Sequence, residues 1–98
     1  MGLGGGTFSD KPAFYGSEVK DFASIAPWST VQEAVDCVGA REGMFVTIGL
    51  STLNNPNIHL NGYVLAGGDV VVVTISNMQS SVSVNLASGI LYVKASFF

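Results

Sequence analysis

His59 is the single histidine and Cys37 the single cysteine of this 98-residue chain. A Ser-His-Asp or Cys-His mechanism would therefore have to pass through His59. Its neighbours at spacing two are Asn57 and Asn61, so it reads as an outward polar residue of a strand. Cys37 shares a parity with Glu33 and Val35 in an apolar-alternating stretch, and a buried cysteine of that kind is an inert small hydrophobe. A structural zinc needs four Cys, His or carboxylate ligands, which one of each does not supply. Asp69 closes Ala66-Gly67-Gly68-Asp69 and reads as a turn residue rather than a ligand. Gly2-Leu3-Gly4-Gly5-Gly6 has no strand before it and no Gly-Lys-Ser/Thr ending, so it is no phosphate loop. A two-carboxylate glycosidase needs a cleft that about 70 core residues can hardly enclose. The residues point to a non-enzyme with no cofactor and no metal.

The composition narrows the class further. One domain is expected, and 48% hydrophobic residues with a net charge of -3 argue against disorder. Four basic residues and a pI near 4.6 argue against nucleic-acid binding, which needs clustered Lys and Arg. A lone cysteine excludes an intrachain disulfide framework. Residues 1–20 lack a basic segment followed by an apolar one, so no signal peptide is expected. Gly62–Ile75, broken by Gly67, Gly68 and Asp69, falls short of the roughly 20 residues a helix needs to span a bilayer. Neither a membrane nor a nucleic acid is an expected partner, and synthesis in a cytoplasm is the default.

The charges are unevenly placed. Nine of the charged residues fall between Asp10 and Glu42, and from Gly43 to Phe98 only Asp69 and Lys94 carry one. Ser, Thr and Asn provide the polarity of that second stretch. Strand edges without lysines pair readily with other chains, so part of this surface is expected to be covered by further subunits.

Periodicity divides the chain into an extended N-terminal arm, residues 1–29, and an antiparallel β domain, residues 30–98. The arm carries five glycines and two prolines but also Phe8, Phe14, Tyr15, Phe22 and Trp28. Large aromatics dock into pockets of their own domain or of a neighbour, so these five are the candidate partner-binding residues. Glu18–Ala26 could form a short helical turn capped by Ser17. Beyond the arm, 31–38 reads as strand or short helix. Strands are expected over 44–50, 58–66, 70–77, 81–86 and 90–98. The hairpin turn falls at either 66–69 or Asn61-Gly62. The fold class is all-β, a small barrel or sandwich of five to six strands.

Gly62–Asn77, followed by Val82-Ser-Val-Asn-Leu-Ala-Ser-Gly-Ile-Leu-Tyr-Val93, resembles a small β-domain of tailed-bacteriophage virion proteins. Val38–Val46 resembles that pattern's first hairpin, with Met44 where an Asp is usual. The resemblance covers about residues 30–97 and omits the arm. It implies an oligomeric, often trimeric, accessory module of a phage head or tail. On that basis the expected role is a capsid decoration (cement) protein bridging subunits of the major capsid protein on the head surface. The alternative is a receptor- or carbohydrate-binding tip of a fibre or tail, with Tyr63 and Tyr92 as a sugar platform.

Overall fold

The computed structural model describes residues 13–53 and 55–97. Six strands form in chain order: β1 (Ala13–Lys20), β2 (Thr30–Asp36), β3 (Phe45–Leu50), β4 (Ile58–Val64), β5 (Val70–Asn77) and β6 (Gly89–Ser96). They make two three-stranded antiparallel sheets, β1-β6-β3 and β2-β5-β4. The central strands show why the sheets pack face to face. Val71, Val73 and Ile75 of β5 and Leu91, Val93 and Ala95 of β6 alternate inward and are almost wholly buried. Val35 and Cys37 join them from the second sheet's side, and burial pushes the Cys37 thiol up, away from the reactive thiolate. The fold is an all-β sandwich, without closure into a barrel.

The seams explain why it stays open. β1 and β2 are edges of different sheets, and side chains rather than a backbone ladder join them. Glu18 Oε2 accepts the Asp36 N–H at 2.9 Å, and Lys20 Nζ donates to the Ala34 carbonyl at 2.9 Å. The Lys20 ammonium also lies 3.2 Å from Glu18 and 3.7 Å from Glu33. These bonds occupy part of an edge that would otherwise offer unpaired N–H and C=O groups to another strand.

At one end of the sandwich the loops 37–44 and 65–69 are clamped by Asp69. Its Oδ1 accepts the Gly39 N–H at 2.9 Å and the Arg41 guanidinium at 2.9 Å. Asp69 sits at φ 65 after Gly67 and Gly68, so the turn at 66–69 is the hairpin turn, while Asn61-Gly62 lies within β4.

The two carboxylates give a pH dependence with a defined sign. The Asp36 N–H, then Lys20, hold the Glu18 carboxyl below its usual range; the Gly39 N–H, then Arg41, do the same for Asp69. A depressed folded-state pKa stabilises above the unfolded value and is lost as pH falls through the folded one. Urea denaturation is expected to find this contribution intact at pH 7 and shrinking below about pH 4, where free Asp and Glu titrate. The Glu18→Gln/Asp69→Asn double variant should be less stable at pH 7 and show a flatter acid limb. An unchanged acid limb would refute the assignment.

Three expectations need correction. Residues 13–20, assigned to the extended arm, form β1, paired with β6 from Ala13↔Ser96 to Lys20↔Gly89; strand pairing, not local periodicity, orders this segment. For the same reason Glu18–Lys20 are strand, with no helical turn capped by Ser17. The alternation of 81–86 survives only as burial of Val84 and Leu86, with a single bridge, Ile25↔Val84. This stretch carries the chain from β5 in one sheet to β6 in the other, so it crosses the sandwich end and cannot ladder with either sheet.

Candidate functional site

The connections from β1 to β2, β3 to β4 and β5 to β6 each pass from one sheet to the other at the same end. Residues 22–29, 51–57 and 78–88, which make up almost all of them, include no charged side chain. Asp21 stands at the margin, its carboxylate accepting the Ser88 hydroxyl at 2.9 Å. The opposite end carries Arg41, Glu42 and Asp69. The sandwich is thus charged at one end and neutral at the other.

The neutral end is built around Asn77, the one fully buried polar residue among those described. Its parity on β5 is that of Val71, Val73 and Ile75, so it points inward. Nδ2 donates to the Ile25 carbonyl at 3.0 Å and the Val82 carbonyl at 2.8 Å, and Oδ1 accepts the Gln79 N–H at 3.0 Å. One amide therefore ties the first loop to the third. Backbone bonds complete the lacing: Asn77 N–H to Ser29 O, Trp28 N–H to Gln79 O and Met78 N–H to Asn57 O. Thr52 Oγ1 donates to Ala87 O at 3.0 Å, joining the second loop to the third. A satisfied buried network of this kind fixes the loops relative to one another.

On this scaffold Trp28 is 63% exposed. Its φ of 55 is in the left-handed region, which costs a non-glycine residue about 1–2 kcal/mol. Exposed Met78, Val82 and Leu53 belong to the same three loops. A strained backbone that holds an aromatic out into solvent motivates a functional reading of that side chain. Interface centres combine this chemistry, with aromatics and Met enriched and charge depleted.

The five aromatics expected to bind a partner do not act as one element. Phe8 lies outside the described residues. Phe22 is buried in the chain's own core, and Phe14 packs against that core beside Gly39. Tyr15 and Trp28 are exposed, Tyr15 on the outer face of β1-β6-β3 and Trp28 at the neutral loop end. Tyr63 and Tyr92 are also separated, because β4 and β6 belong to opposite sheets and both rings point outward. Tyr92 instead lies with Tyr15 in a shallow depression of about 450 Å³ over β6. His59 is exposed on β4, and among the described residues no three His, Cys, Asp or Glu side chains are placed to hold a metal ion. No helix among them is long and apolar enough to cross a membrane.

These features define a two-sheet all-β sandwich with a preorganised, uncharged loop end. No family model, curated protein or solved structure matches the chain.

Proposed function

We propose that the chain is a non-catalytic structural protein, a capsid decoration protein that attaches to a phage head through its neutral loop end. The observation that carries this reading is Trp28, held exposed at φ 55 on loops without a charged side chain. The virion setting comes from the resemblance of residues 30–97. Assembly as a homo-oligomer, most simply a trimer, is supported by the outer face of β2-β5-β4. There Thr30, Gln32, Thr74, Ser76 and Asn61 surround Val72 and Tyr63, and the only carboxylate is Asp36 at the rim. Many copies with weak individual contacts would hold a shell by avidity.

Trp28→Gly separates attachment from folding. Glycine takes positive φ without strain, so unfolding free energy should stay within about 1 kcal/mol of wild type. Co-sedimentation with undecorated capsids of the parent phage should fall at least about tenfold, as loss of a central aromatic anchor does. Wild-type binding by the variant would refute the attachment site. Light scattering should give about three times the 10.2 kDa chain mass, and a monomer would refute the trimer.

A further inference from the structure

Lys94 has a setting that no other described cation shares. Lys20 is paired with Glu18 and Glu33, and Arg41 with Asp69. No ion pair joins Lys94 to a described carboxylate; its ammonium sits 5.9 Å from the centroid of the Tyr15 ring. It stands on β6, the central strand of its sheet, with Tyr15 and Thr47 as cross-strand neighbours. The next row outward holds Ser17, Tyr92 and Gly49. Gly49 leaves a gap beside the Tyr92 ring, and these six residues line most of the 450 Å³ depression. That volume lies within the range of about 300–1,000 Å³ typical of small-molecule sites.

We propose that this depression binds a carboxylate-bearing sugar, a uronate or sialate unit of a glycan. Two aromatic rings offer apolar faces to the C–H faces of a pyranose. The Ser17 and Thr47 hydroxyls can donate to or accept from ring hydroxyls, and the Lys94 ammonium meets one carboxylate. The charge selects the class. Lys94, the one cation among the described residues without a carboxylate partner, complements a single carboxylate, while the chain's net charge of -3 repels densely charged phosphate polymers. A neutral sugar would leave the ammonium unused. The site lies on a sheet face and shares no residue with the loop end, so it stands or falls separately from the attachment reading.

The test is an amide NMR titration of the full chain with trigalacturonate and 3′-sialyllactose, using cellotriose and lactose as neutral controls. Probe at about 10 mM suffices to saturate a site with a Kd of about 1 mM. The expected result is shifts confined to residues around Tyr15, Thr47, Gly49 and Tyr92 with at least one acidic probe, and at least about tenfold weaker binding of both neutral ones. Lys94→Gln and Tyr92→Ala, both outward on the sheet, should each weaken binding about tenfold while the remaining spectrum shows the fold intact. Trp28→Gly should bind as wild type does. No shift with either acidic probe, equal response to the neutral sugars, or undiminished binding by Lys94→Gln would overturn the proposal.

Discussion

Asn77→Ala is expected to lower the unfolding free energy by about 3 kcal/mol. The alanine removes three hydrogen bonds made by a fully buried side chain, one of them buried and two part-buried. The partners lose unequally. The Ile25 carbonyl keeps the Val84 N–H at 2.9 Å, so it remains satisfied. The Val82 carbonyl and the Gln79 N–H lose the Asn77 amide at part-buried positions that water can reach in part, so each costs less than the roughly 1–3 kcal/mol of a wholly buried orphan. Asn77→Asp should be no better, because a carboxylate accepts but does not donate to Val82 O, and burial penalises its charge. Equilibrium urea unfolding measures both variants. A loss under about 1 kcal/mol would mean that the loops are held by their backbone bonds alone. Because Asn77 orders the loops that present Trp28, Asn77→Ala should also weaken capsid attachment, whereas Trp28→Gly should affect attachment with little change in stability.

The position of Asn77 was open to reading in the sequence. It is the fourth residue at spacing two after Val71, Val73 and Ile75, so a polar side chain on that parity faces the core. Its partners were hidden, because Ile25 and Val82 are 52 and 5 residues away along the chain and meet it only when two loops cross the same end. β3, β4, β5 and β6 were legible because apolar and polar residues alternate there, whereas β2 stayed open between strand and short helix and the equally clean alternation of 81–86 forms no strand. β1 was not legible, since Ala13–Lys20 includes Gly16 and offers no repeating apolar face; it becomes a strand by pairing with β6. Segregation of charge was visible along the chain. Its meaning as a neutral end was not, because that depends on three loops, far apart in sequence, leaving their strands in the same direction. The Tyr15–Lys94 pairing was equally invisible, as those residues are register partners across β1 and β6.

Gly16→Ala should cost at least about 2 kcal/mol, although it adds one methyl group in an exposed-edge strand. A Cβ at Gly16 would fall inside van der Waals contact of the Asp36 carbonyl oxygen and close against a Val93 methyl. Neither neighbour can retreat cheaply. Asp36 is held in β2, and its N–H is bound by Glu18 from β1 itself. Val93 is core on the central strand. Gly49→Ala supplies the control, because Gly49 is in β3, pairs with the same β6 and has ordinary φ. Its Cβ would meet only the Tyr92 ring, at 4.0 Å. In a strand interior, replacing that glycine by alanine should be neutral or stabilise by up to about 1 kcal/mol, chiefly by restricting the unfolded chain. The two variants add the same atoms to the same sheet, so a gap of about 2–3 kcal/mol between them measures the seam rather than strand propensity. Equal effects would mean that β1 and β2 can separate without loss, and Glu18 and Lys20 would then be ordinary surface charges rather than the bonds that join the two sheets.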